Sequence, residues 1–254
     1  MRREVSEVRR FYETPLGCVA ARMIAAKLAD AWGSTASLDV LGVGYAPPWL
    51  ETMDTARRAL AAMPGGQGAE SWPNPRSRTC LVDETGLPFP TGCFDRVLAV
   101  HALEEAGDPA ALVRELGRVL APSGRLILVV AHRGGLWARA ESTPFGHGRP
   151  YTLGQLERLV GEAELDPFAR THALFTPPWS RLAGAADLFE TVGGLLAPGL
   201  SGVVLLEAVK STYALRPKAA AVTAADRLSA VLTPQAAGRG APEPVRMDEA
   251  MEAD

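Results

Sequence analysis

Two rhythms of apolar residues alternate along this chain. Short, nearly continuous apolar runs stand at "LDVLGV" (38–43), "ALAAM" (59–63), "TCLV" (79–82), "RVLAV" (96–100) and "RLILVV" (125–130). Such runs predict strands, with "LDVLGV" a central strand of a parallel sheet covered on both faces and "RLILVV" a buried one. Between them the spacing is helical. Val19, Met23, Ile24, Leu28 and Ala31 share a face over 17–32, and Leu112, Leu116, Val119 and Leu120 do so over 110–120. A third helix follows Thr152 and Gln155, which stand three apart as a capping box, and buries Leu153, Leu156, Leu159 and Val160. "FARTHALF" (168–175) and "GVVLLEAVK" (202–210) read as two later strands around a partly helical apolar insert. Strands alternating with helices predict an α/β, doubly wound sheet.

The rhythm stops near Pro217. From there Ala, Pro and charged residues dominate, with too few apolar positions to offset the entropy of ordering. The expected division is a folded domain over 1–216 and a disordered tail over 217–254, with a short helix conceivable near 221–232.

Composition narrows the classes of function. With 254 residues, 47% of them hydrophobic, the chain can bury one substantial core. A net charge of −3 leaves no global electrostatic footprint for nucleic acid. Arg2, Arg3, Arg9 and Arg10 alternate with Glu4, Glu7 and Glu13, the pattern of a solvated helix face. Cys18, Cys80 and Cys93 form no C-x-x-C pair and read as buried free thiols of a reducing, cytoplasmic setting. No apolar signal core opens the chain, and the apolar window 188–206 carries Glu190, Pro198 and four glycines, against stable membrane insertion.

The candidate chemistry begins at "SLDVLGVGYAPPWLETM" (37–53), a strand, a glycine turn and a helix start. In an open α/β sheet ligands bind beyond the carboxyl ends of the strands. Gly42 and Gly44 stand at that place and allow close backbone approach; strand–turn packing accounts for such a pair as well. The wider segment 81–130 carries Asp83, then Leu87-Pro88-Phe89, Phe94-Asp95, His101-Ala-Leu-Glu104-Glu105 and Arg118-Val-Leu-Ala-Pro-Ser-Gly124. This succession resembles class I S-adenosylmethionine-dependent methyltransferases of the broad small-molecule, type 11-like kind.

The resemblance implies a seven-stranded, mostly parallel sheet whose last strand runs antiparallel beside the fifth. It implies S-adenosylmethionine as cofactor and a small-molecule acceptor. Gly42 and Gly44 would face the methionine end, Asp83 the adenine amino group and Leu87 the adenine ring, with His101 and Ala102 lining the floor beside the sulfonium. For His101, a satisfied core imidazole is an equal reading.

The first motif departs from the family pattern. Val40 stands where an acid is usual, Asp39 lies one residue early and so on the opposite face, and Ala46 replaces the third glycine. At the end of the second strand the ribose acid gives way to Met63-Pro64, with Gln67 and Glu70 as looser substitutes. Two readings stand: methyl transfer through a weakened cofactor site, or a catalytically inactive methyltransferase fold serving as ligand sensor or interaction scaffold.

On the acceptor side, "TPFGHGRPY" gathers His147, Arg149 and Tyr151 as candidate substrate contacts, although a structured crossover explains them equally. Arg133, Trp137 and Phe145 lie in the same loop. No H-E-x-x-H, G-x-S-x-G or Walker sequence occurs, so metal hydrolysis and Ser-nucleophile chemistry are not indicated. "GVGYAP" lacks the last glycine of a dinucleotide fingerprint, which disfavours a nicotinamide enzyme.

Overall fold

Seven strands hydrogen-bond into one sheet in the order β3-β2-β1-β4-β5-β7-β6. In this computed structural model, which describes residues 2–211 apart from positions 74 and 197, they are β1 (Asp39–Gly44), β2 (Arg58–Pro64), β3 (Thr79–Val82), β4 (Phe94–Val100), β5 (Leu120–Ala131), β6 (Asp166–Ala173) and β7 (Val203–Val209). β1 pairs in parallel with β2 and β4, β2 with β3, and β4 with β5. β7 runs antiparallel between β5 and β6, with Leu128 opposite Leu206. The expected sheet and its reversed last strand are both present. The region assigned to a disordered tail, from 217 onward, lies outside the described residues.

Alternation along the strands divides the core between two faces. Val40, Met63, Leu98, Ile127 and Val129 face α1 (Val5–Tyr12) and α2 (Pro15–Trp32). Leu41, Val43, Val97, Leu126 and Leu128 face α4 (Pro109–Val119) and α5 (Leu153–Glu162). Thr14 caps α2 by accepting from Gly17 N at 3.0 Å, with Pro15 in the first turn. Gly33, at φ 59°, ends it. The Thr152–Gln155 capping box opens α5 as its spacing predicts.

The helix after β1 is a single turn, α3 (Pro47–Leu50). A doubly wound unit ordinarily places several turns between its first two strands; here β2 begins at Arg58 and leaves no room for them. The apolar insert folds partly as α6 (Ala186–Leu196). No helix among the described residues is long and apolar enough to cross a membrane. Cys18 corrects the expectation of three buried thiols: it is exposed, whereas Cys80 and Cys93 are partly buried, and all three are free.

Candidate functional site

The chain leaves β1 for β2 and β3, then returns to place β4 against the other side of β1, so the topological switch lies between β1 and β4. Gly44 makes that junction close. Its φ is +82°, and a Cβ there would sit 2.2 Å from Val100 O. Tyr45 N donates to the same carbonyl at 2.8 Å. Gly42 serves packing instead. A Cβ there would lie 2.5 Å from the Cβ of Ala46 and 2.8 Å from Leu50, so its missing side chain seats α3 on the strand.

The usual acid positions are core. Val40 and Met63 are fully buried on the α1/α2 face. Asp39 sits at the opposite end of β1, where it takes two hydrogen bonds from Arg57, at 2.9 and 2.6 Å, and one from Arg58 at 3.1 Å. The Arg57 hydrogen bond leads in holding its carboxyl below the usual range.

Beyond the glycine turn the space is filled by aromatic rings. Tyr12, from the end of α1, stacks on Tyr45 with centroids 5.7 Å apart and meets Trp49 edge-on at 5.3 Å. Its hydroxyl lies 2.7 Å from His101 Nε2. His101 adopts φ 51° at the end of β4, and its ring packs 4.5 Å from that of Phe145. Burial, aided by Arg3, pushes its pKa down to about 3, so the ring is neutral. The satisfied core imidazole is the arrangement present.

One turn on, Glu104 Oε1 accepts from Ala131 N at 2.9 Å while Oε2 has no protein partner among the described residues. Burial pushes this carboxyl up to about 7. A cavity of about 10 Å³ touches His101, Glu104, Gln67, Arg3 and His147, at the limit of what one water occupies. Gln67 Oε1 is a second buried acceptor without a protein partner among the described residues.

A larger groove of about 640 Å³ opens at the ends of β2 and β3, lined by Pro64, Gly65, Gly66, Val82, Asp83, Glu84, Glu105 and Arg2. Asp83 is exposed there. Its Oδ1 accepts from Thr85 N at 2.8 Å and Thr85 Oγ1 at 2.7 Å, and these bonds lower its pKa, the backbone one most. Leu87 is absent from the groove. It is buried among the α4 side chains, and its N donates to Glu115 Oε2 at 2.9 Å. Ala102 contributes its carbonyl, which accepts from Arg2 at 2.9 Å. Arg2 also pairs with Glu84, its side chain only 6% exposed, which corrects its reading as part of a solvated face.

The structure separates the three candidate acceptor residues. His147 lines the small cavity, with Nε2 2.6 Å from Glu141 O. Arg149 ties the loop to the segment after β4 through its backbone, N donating to Glu104 O at 2.7 Å, and the residue is exposed. Tyr151 turns to the α4/α5 face, where its hydroxyl donates to Leu103 O at 3.2 Å. Sequence reasoning missed Tyr12 and Arg2 as site residues. The helical spacing of Val5, Val8 and Tyr12 was the available signal for Tyr12.

These residues fit the two ends of an S-adenosyl cofactor unequally. An adenosine end placed as the resemblance implies would meet an open groove with two glycines and an exposed Asp83. A methionine end so placed would meet Tyr12, Tyr45 and Trp49, whose rings pack on one another and are all buried.

The family model for a methyltransferase domain matches residues 27–128. Demethylmenaquinone methyltransferase of Thermus thermophilus is 36% identical over 91 residues, covering 36% of this chain and 36% of that protein. The 27-O-demethylrifamycin SV methyltransferase of Amycolatopsis mediterranei is 34% identical over 118 residues, covering 43% and 42%. The matched stretch thus spans well under half the length of these relatives. Among solved structures, an S-adenosylmethionine-dependent methyltransferase of Thermotoga maritima, described as a possible histamine N-methyltransferase, superposes with a TM-score of 0.60 at 17% identity. That match covers 82% of this chain and 96% of the other and speaks for the fold. Residues 27–128 of this chain are thus similar to the methyltransferase domain family, and the fold around them is like that of the S-adenosylmethionine-dependent methyltransferase it superposes on.

Proposed function

We propose that this protein binds S-adenosylmethionine at the carboxyl ends of β1–β4 and transfers its methyl group to a small-molecule acceptor. The observation that carries this reading is the groove at the ends of β2 and β3. It lies beside the switch point, with Gly65 and Gly66 open to backbone approach and Asp83 at its rim. Asp83 would accept from the adenine amino group through the oxygen that Thr85 leaves free. The cofactor, when bound, supplies a methyl group on a sulfonium, which needs in-line placement more than acid–base help.

Where the acceptor must lose a proton, Glu104 Oε2 is the group to take it. It is buried just beyond the end of β4, lacks a protein partner among the described residues and ionises near neutrality. His101, with its ring nitrogen committed to Tyr12, holds position.

Calorimetric titration with S-adenosylmethionine and S-adenosylhomocysteine tests the reading. The expected outcome is binding in the range of about micromolar or weaker, since the buried Val40 and Met63 supply no charged partners. Failure of both ligands to bind at millimolar concentration would favour the scaffold reading instead.

A further inference from the structure

The amino-terminal segment lies along the same three strand ends that an S-adenosyl cofactor would span. Arg2 pairs with Glu84 after β3 and donates to Ala102 O after β4 at 2.9 Å. Arg3 N donates to Glu105 Oε2 at 2.7 Å, and Val5 N to Gln67 O after β2 at 2.9 Å. At the far end of α1, Tyr12 reaches His101. A cation thus sits in the groove read as the nucleoside end, and a phenol in the place read as the methionine end.

From this juxtaposition we infer that residues 2–12 are an intramolecular occupant of the cofactor groove, released when an S-adenosyl ligand binds. The inference rests on the reading under Proposed function. Closed and loaded states then exclude one another, and apparent affinity falls by the fraction of chains that are open. The segment's hold combines polar ties at the rim with the buried side chains of Val8, Phe11 and Tyr12, so release must uncover that face of α1 and is opposed by its packing, while the Arg9–Glu13 ion pair at the surface adds little.

A reversible lock tests the exchange on the full chain. A Cβ at Gly66 would lie 3.9 Å from Arg2 Cβ, within disulfide range. The variant is Arg2→Cys/Gly66→Cys with Cys18→Ser to remove the exposed thiol. S-adenosylhomocysteine is titrated by calorimetry before and after oxidation, with the cross-link verified by mass. A separate Arg2→Ala variant, which loses the tie and leaves Gly66 unchanged, should bind about tenfold tighter than the parent, and the reduced double-cysteine form serves only as the reference for its own oxidised form. The oxidised form should lose binding and regain it on reduction. Hydrogen exchange on the parent gives a second readout: amides of residues 5–12 should lose protection when the ligand is added. Equal affinity of the oxidised and reduced forms, or increased protection of α1, overturns the proposal while leaving the cofactor reading intact. Absence of binding to every form at millimolar ligand overturns both.

Discussion

The hydroxyl of Tyr12 and Nε2 of His101 lie 2.7 Å apart, joining the first helix to the end of β4 across the mouth of the glycine turn. Both groups are buried, so each is the other's replacement for water. Tyr12→Phe keeps the ring stacked on Tyr45 but leaves His101 unpaired. The expected loss is about 1–3 kcal/mol of stability, read from urea denaturation. An unchanged midpoint would mean that water reaches the imidazole.

Two buried titratable groups at this edge act on stability in opposite directions. His101, neutral in the fold with a pKa near 3, contributes stability fully present above its unfolded value of 6.5, and this is lost as pH falls from 6.5 toward 3. Glu104, raised from 4.5 to about 7, favours the fold while protonated. Its contribution is full below 4.5 and is lost as pH rises to 7. Each has a limiting slope of about 1.4 kcal/mol per pH unit. Glu104→Gln should therefore gain on the parent steadily between pH 4.5 and 7, then hold a constant difference. Thermal melts across a range of about pH 4–8 check this, and a parallel pair of curves would show that Glu104 is solvated.

Glycines separate by position. Gly44→Ala combines φ +82° with a Cβ 2.2 Å from Val100 O, and should cost about 3 kcal/mol or more. Gly161, inside α5 with nothing within 4 Å of its would-be Cβ, should accept Ala with a gain of about 0.5–1 kcal/mol. Denaturation midpoints of the two variants should move in opposite directions.

Asp39 and Asp83 divide stability from binding. Asp39→Ala removes a partner of Arg57 and Arg58 at the amino end of β1 and should lower stability slightly, since both guanidinium groups are exposed and solvent screens the pairs. Cofactor affinity should be unchanged. Asp83→Ala should leave the melting temperature near that of the parent and weaken S-adenosylhomocysteine about tenfold or more. The reverse ranking by calorimetry would place the ligand away from the groove.

Apolar periodicity placed the seven strands, most sharply the central β1, β4 and β5, because a central strand must be apolar on both faces and cannot hide that in its sequence, whereas β3 and β6 lie at the edges. "TCLV" became β3 residue for residue, and the run opening at Val203 became the reversed β7. The switch point was legible too, since only glycine suits the junction that Gly44 makes. What sequence order could not convey is which distant groups share a space. Leu87 follows the expected pattern yet turns into the α4 core, because Glu115 and Arg118 hold its backbone there. Arg2 reads as solvated beside its charged neighbours, but Glu84, 82 residues away, draws it into the groove. Tyr12 meets His101 across 89 residues of chain. Local pattern determines each element's type and buried face, because both depend on neighbours a few residues away. Occupancy of the groove was decided only by tertiary packing, where the first helix and three strand ends compete for one volume.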